Sequence, residues 1–346
     1  MRYPKYLTKG GTIGFLAPSM GCSTEPYRTG FDTALEKWRG MGYGVLLGPN
    51  CYEDKGVGIS NHPELCGAEV MEMFSSDADC LISCGGGELM CEILPYVDFV
   101  ELEMLEPKWF MGYSDNTNLC FTLATLADTA SVYGPCASSF GMEPWHKSLK
   151  DAFGILTGEV HAVSSYGTWE KEQLKDEEHP CVPYNLTEPL AIQSFIGTQK
   201  VSGKDETISF SGRLIGGCMD CLVNLLGTRF DRVKEFTEKY KEDGYIWFLE
   251  SCDLNVFAIR RAMWQMEQAG WFQYVKGFLI GRPANGEPIM NLDVYSAVLD
   301  VAGRKNVPVI MDVDLGHRPP MMPLVVGSMA EVTVKGNEMK VSMEYR

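Results

Sequence analysis

Through the first 135 residues, short apolar runs bounded by glycine alternate with stretches of helical spacing, and few architectures accommodate that rhythm. TIGFLAPS, YGVLLG, DCLISC, KWFMGYS and SVYGP are short and nearly continuous in apolar residues, as strands buried on both faces are. Between them, Phe31, Ala34, Leu35, Trp38 and Met41 fall at helical spacing, a second helical stretch passes through Met71 and Met73, and NLCFTLATLA supplies another. Buried strands joined through helices make a parallel α/β sheet. Ligands of such sheets bind beyond the carboxyl ends of the strands. Pro18-Ser19, Gly85-Gly86-Gly87 and Ser114 all lie at such ends.

Past residue 150 the pattern changes. SSYGTWEKEQLKDEEHPCVPYNLTEPL is polar, acidic and proline-containing with little periodicity, which reads as a linker or lid. Regular alternation resumes with SGRLIGG, YIWFLE, a helical FAIRRAMWQMEQAG, GFLIGRP, a helical YSAVLDVAG and VPVIMDVDLGH. AEVTVKGNEMKVSMEY reads as a hairpin about Gly336-Asn337. The expected organisation is an N-terminal α/β domain over 1–150, a linker or lid over 151–205 and a mixed α/β domain over 206–346. A chain of 346 residues that is 45% hydrophobic can bury cores for two domains.

Composition narrows the function classes. A formal charge of −16 argues against a nucleic-acid partner, which needs clustered Lys and Arg. No apolar stretch reaches the length of a membrane span, and the opening MRYPKYLTKGG lacks the parts of an export signal. The expectation is a cytoplasmic protein whose twelve cysteines are reduced thiols.

Gly112-Tyr113-Ser114-Asp115 passes from a buried strand into a helix. A residue on such a sharp turn presents its side chain outward, the logic of a nucleophile elbow in which a small residue two positions earlier permits the turn. Asn116 stands where the second glycine of that motif belongs, and on the local sequence alone Ser114 or Asp115 acting as a plain helix cap is the commoner explanation. The triple glycine of SCGGGELM suits backbone N–H groups that approach an oxyanion or phosphate, or a purely structural turn. A hydroxyl nucleophile needs a base, and of five histidines His317 stands apart, after an apolar strand and a glycine and before Pro319-Pro320. Glu250 ends the apolar YIWFLE and is the candidate carboxylate partner, with Asp253 as a nearby substitute. Cys218 and Cys221 have C-x-x-C spacing without a second pair, so a closed zinc site lacks ligands and no metal is expected. Cys84 as a nucleophile is poorly placed, since it precedes the glycine turn.

As a set these stretches resemble the L,D-carboxypeptidase family of serine peptidases, including the microcin C immunity peptidases. The resemblance rests on GTIGFLAPS, the glycines at 85–87 with ILPYVDF, PKWFMGYSDNT, VYGP, GRLIGG with LLGT, WFLE and the late GH. It implies Ser114 as nucleophile, His317 as general base and acid, and Glu250 as the group orienting His317. It implies an oxyanion hole at the Asp115 amide and at Gly86 or Gly87. It also implies a flavodoxin-like N-terminal domain, a C-terminal domain with a swivelling β-barrel-like core, a homodimer, a small peptide substrate and no cofactor. Cys218 stands where many relatives carry Asn, and the region around Trp169 looks closer to the microcin-immunity branch. Both residues are therefore expected near the substrate.

Overall fold

A computed structural model of the chain describes residues 1–201 and 206–346, so the last part of the expected linker, at 202–205, lies outside the described residues. The chain divides into two compact units. One comprises 1–160, 172–185 and 323–325, the other 161–171, 186–322 and 326–346.

In the first unit the strands are β1 (Thr12–Leu16), β2 (Gly44–Leu47), β3 (Cys80–Ser83), β4 (Trp109–Gly112) and β5 (Ser131–Tyr133). They alternate with helices α1 (Tyr27–Gly40), α2 (Pro63–Ser75), α3 (Phe99–Met104) and α4 (Thr117–Ala127), and α5 (Lys147–Thr157) follows. Pairing among β1 to β5 is parallel, in the spatial order 2-1-3-4-5, a flavodoxin-like doubly wound sheet. In this order the topological switch point falls between β1 and β3, which the chain leaves at Ser19 and Gly85, the place where ligands of such sheets bind. Trp38 on α1 anchors the core, with ring centroids 5.1 Å from Phe15 on β1 and 5.0 Å from Phe140. Glu69 on α2 is buried, and its carboxylate accepts the N–H groups of Ala17 and Asn50, both at 2.9 Å. This carboxylate ties the exit of β1 to the loop after β2. Burial pushes its pKa up to about 7, against the pull of those two hydrogen bonds.

The segment expected as a linker or lid is more ordered than its composition suggests. It carries β6 (Ala162–Ser164), β7 (Thr168–Glu170), β8 (Leu186–Pro189), β9 (Gln193–Ile196) and β10 (Gln199–Lys200). These strands are short and polar because most of them pair at the margin of a sheet, where one face stays wet. β7 and β8 form a small ribbon of their own.

The second unit continues with β11 (Thr207–Cys218), α6 (Met219–Leu225), α7 (Val233–Lys239), β12 (Tyr245–Glu250), α8 (Val256–Gln268), β13 (Val275–Gly281), α9 (Val294–Ala302) and β14 (Pro308–Val313). After β15 (Leu324–Val326) it closes with β16 (Met329–Lys335) and β17 (Glu338–Glu344), the expected hairpin. Among the described residues its sheet has nine strands, in the order β10-β9-β14-β13-β12-β11-β16-β17-β6. β11 to β14 pair in parallel and their flanking neighbours are antiparallel, so the sheet is mixed. β15 instead joins β5, as the outermost strand of the six-stranded first sheet. Trp247 on β12 stacks on Trp271 with centroids 5.7 Å apart in the middle of this core. No helix among the described residues is long and apolar enough to cross a membrane.

Glu69→Ala leaves two buried N–H groups without their acceptor, at about 1–3 kcal/mol each. The carboxyl binds its proton more tightly folded than unfolded, so its contribution is present below about pH 4.5 and lost as the pH rises toward about 7. Urea denaturation at both ends of that window is expected to show the gap between wild type and variant narrowing as the pH rises.

Candidate active site

In the first unit, β4 ends at Gly112, Tyr113 is extended, and Ser114 adopts the left-handed backbone conformation at φ 61° before a single tight turn leads into α4. A non-glycine residue in that region is uncommon and is held there only by its surroundings. Those surroundings are visible. Gly112 must lack a side chain, because a Cβ there would stand 2.8 Å from the Cβ of Asn116. Asn116 in turn donates from Nδ2 to the carbonyls of Gly85 at 2.8 Å and Tyr113 at 3.1 Å, clamping the serine turn to the glycine turn. This is why Asn occupies the place of the elbow's second glycine. The Ser114 N–H donates to the hydroxyl of Tyr133, at the end of β5, at 3.2 Å.

Asp115 is buried, and its side chain does not cap α4, which begins without a side-chain cap. Instead its Oδ2 accepts the Ser19 hydroxyl at 2.6 Å and the Met90 N–H at 3.0 Å, while Oδ1 accepts from Asn118 at 3.1 Å. Burial pushes its pKa up to about 6. Gly86 lies directly against the serine, since a Cβ on it would stand 3.5 Å from Ser114 Oγ. Its carbonyl accepts the Met20 N–H at 2.8 Å. Gly87 is packed so closely on Ser19 and on the Gly58 carbonyl that any side chain would collide with both. Ser114, Asp115, Gly86 and Gly87 are thus one cluster at the carboxyl ends of β1, β3 and β4. The neighbouring Cys84 is fully buried, and burial together with Cys22 and Cys51 raises its thiol well above the ordinary range, which disfavours the thiolate a cysteine nucleophile needs.

In the second unit, Glu250 is the last residue of β12 and is fully buried. Its Oε2 pairs with Nδ1 of His317 at 2.8 Å. Gly316, at φ 94°, makes this possible, because a Cβ there would collide with the Glu250 carboxylate. Burial alone would lower the His317 pKa, but the charge of Glu250 and hydrogen bonds to Cys252 and Glu250 outweigh it and the imidazole is raised. Asp253, the substitute carboxylate, is exposed, and its N–H goes to Asp220. The loop bearing His317 is tied down at several points. Asp314 accepts the Met322 N–H on its carbonyl, Pro319 accepts the Glu170 N–H, and Arg318 donates to the carbonyls of Lys171 and Ala284.

Cys218 ends β11 directly opposite Glu250 in the parallel register, and its thiol donates to Asp220 at 3.3 Å. Trp169 lies on β7, half-buried, with the Arg282 guanidinium 5.1 Å from its ring centroid. Arg282 is itself held by Asp314 at 2.6 Å and by the Asp312 carbonyl. The other histidines do local work: His146 accepts the Ser148 N–H at the start of α5, and His161 packs on Tyr345.

Several supporting residues escaped the sequence reading. Asn116, Asn118 and Tyr133 could not be singled out because their partners are set by folding. Asp220 accepts three successive N–H groups, from Cys252, Asp253 and Leu254, and so shapes the loop after Glu250. Its only signal was an acid at a helix start.

Two α/β sheets that gather polar and ionisable side chains at the carboxyl ends of parallel strands define an α/β protein with its chemistry on strand-end turns. The chain belongs to the LD-carboxypeptidase family, matching its N-terminal domain over residues 13–134 and its C-terminal domain over residues 211–332. It is 26% identical to the "Probable murein peptide carboxypeptidase" of Bacillus subtilis (strain 168), over 94% of this chain and 90% of that one. It is 24% identical to the microcin C7 self-immunity protein MccF of Escherichia coli, over 98% and 95% of the two chains. The structure of MccF in complex with glutamyl sulfamoyl guanosine superposes with a TM-score of 0.80 at 21% identity, over 99% of this chain and 98% of that one, which shows a shared fold.

Glu250→Gln removes the charge that favours the imidazolium. The His317 titration midpoint, followed by NMR of the ring, is expected to fall by about 1–3 units; an unmoved midpoint would detach Glu250 from His317.

Proposed function

We propose that the chain is a serine carboxypeptidase that hydrolyses an L,D-peptide bond next to a free carboxyl terminus, as in release of D-alanine from a murein tetrapeptide. The observation that carries this reading is the left-handed Ser114, held beside Gly86 at a strand-to-helix turn. Membership of the LD-carboxypeptidase family supports it.

In this reading the Ser114 hydroxyl attacks the scissile carbonyl and passes its proton to His317 Nε2. The Nδ1–H donates to Glu250, which fixes the tautomer and stabilises the imidazolium. The oxyanion is received by the Asp115 N–H and by the amide of Gly86 or Gly87. One such donor is worth on the order of 10²–10³ in rate. His317 then protonates the departing amine, and water, deprotonated by the same imidazole, releases the acyl group from Ser114. The raised His317 pKa sets the direction of the pH dependence, with activity rising as the base is freed of its proton at higher pH. The same reading takes the protein to be a cytoplasmic homodimer.

A second reading, hydrolysis of a peptidyl or aminoacyl nucleotide, is favoured by Trp169, whose ring backed by Arg282 suits stacking on a base. The similarity to MccF points the same way. Turnover of an aminoacyl sulfamoyl nucleotide that exceeds tetrapeptide cleavage and falls in Trp169→Ala would select it. A third, a non-catalytic module binding a small anion, predicts no labelling of Ser114 by a fluorophosphonate.

Ser114→Ala is expected to lose on the order of 10⁴–10⁶ in kcat for D-alanine release. If Ser114 and His317 act as a unit, Ser114→Ala/His317→Ala is expected to be no slower than either single variant. Equal rates for wild type and Ser114→Ala would end the proposal, and multiplied losses in the double variant would separate the two residues.

A further inference from the structure

Cys218, Glu250 and His317 each offer one atom able to ligate a metal, and these three atoms lie within 4.8 Å of one another. They come from three strand ends, β11, β12 and the loop after β14. Cys218 and Glu250 are register partners, so the backbone fixes their neighbourhood, and Gly316 presses His317 onto the same carboxylate. C-x-x-C spacing gave Cys218 no histidine in the sequence. Folding supplies one from 99 positions away, the residue that pairs with Glu250.

We propose that this trio is a binding site for a zinc-like divalent cation, and that its occupation silences the His317 base. One thiolate, one imidazole and one carboxylate are the mixed donors that zinc takes, at about 2.3 Å for sulfur and about 2.0–2.2 Å for nitrogen and oxygen. Magnesium and calcium prefer all-oxygen shells and are disfavoured by the sulfur. Tetrahedral ligands at those lengths stand roughly 3–4 Å apart, so side-chain adjustment within the present cluster is sufficient to bring the three donors onto one ion. Binding releases the Cys218 thiol proton, and His317 binds as the neutral imidazole. Without metal that proton is held firmly, because the hydrogen bond to Cys221, burial and the charges of Glu250 and Asp220 keep the thiol well above its ordinary range, so it is the cation's charge that must displace it.

The consequence for activity rests on the hydrolase reading above. Metal on Nδ1 replaces the hydrogen bond to Glu250 and leaves the ring proton on Nε2. Metal on Nε2 takes up the lone pair directly. In either geometry no imidazole nitrogen remains to accept the Ser114 proton.

The test uses the full chain after chelator treatment, titrated with Co²⁺ and then Zn²⁺. One equivalent of Co²⁺ is expected to give a thiolate-to-cobalt charge-transfer band and tetrahedral visible bands, which Zn²⁺ then displaces. Loss of an outer-shell partner costs about 10–100-fold in metal affinity, and Cys218→Ser, which removes a ligand, is expected to weaken Zn²⁺ binding at least that much and abolish the charge-transfer band. Zinc X-ray absorption on the wild type, which does not depend on any variant folding, is expected to show one sulfur with nitrogen and oxygen neighbours. Absence of stoichiometric binding, a band that persists in Cys218→Ser, or a zinc shell with no sulfur or several would overturn the site. D-alanine release is expected to fall with occupancy of this site and recover on addition of EDTA, and full activity at full occupancy would overturn the silencing. A chain that releases no D-alanine with or without zinc counts against the hydrolase reading, while the spectra decide the metal site.

Discussion

Parallel pairing is the constraint on which both clusters depend. In a parallel sheet neighbouring strands end at the same side, so residues far apart in sequence arrive side by side where the chain turns away. Cys218 meets Glu250 because β11 and β12 run in register to their last residues. Gly281 closes β13 beside them, and a side chain there would collide with the Leu315 carbonyl while crowding Glu250. The first sheet repeats the arrangement: Leu16 pairs with Ser83 and Gly112 with Tyr133, so the turns bearing Ser19, Gly85 and Ser114 leave from one edge.

Buried carboxylates show how each unit uses that edge. An ionised acid removed from water is costly unless charge or hydrogen bonds compensate it. Glu69 and Asp115 are answered largely by backbone N–H groups, hydroxyl and amide donors, partners that stay in one protonation state near neutral pH. Both serve to hold loops in place. Glu250 is answered by an imidazole, whose proton can leave. That difference in partner, rather than burial itself, separates a carboxylate whose partners keep their protons from one whose partner titrates.

Much of this was legible in the sequence because it depends on local pattern. The strands over TIGFL, CLIS, WFMG and YIWFLE appear where unbroken apolar runs placed them, and the hairpin about Gly336-Asn337 follows its turn residues. Gly112 marked a tight turn through its spacing from Ser114. The pairing of Glu250 with His317 was an inference from chemistry and resemblance, since nothing in either fragment names its partner. What escaped was non-local or marginal. β6 to β10 were hidden by a polar composition that suits sheet margins as well as loops. Asn116 was noted only as a missing glycine, whereas its amide holds two turns together. Asp220 and Arg282 act on loops brought to them by other strands.

The border strand β15 has a consequence for how the polypeptide is made. Leu324–Val326 completes the outer edge of β5, yet it is translated only after all of β6 to β14. Until then the nascent N-terminal sheet carries an open edge, a template for unwanted pairing. Cutting the gene near codon 160 would not yield two autonomous halves, because the first would be severed from its own selvedge.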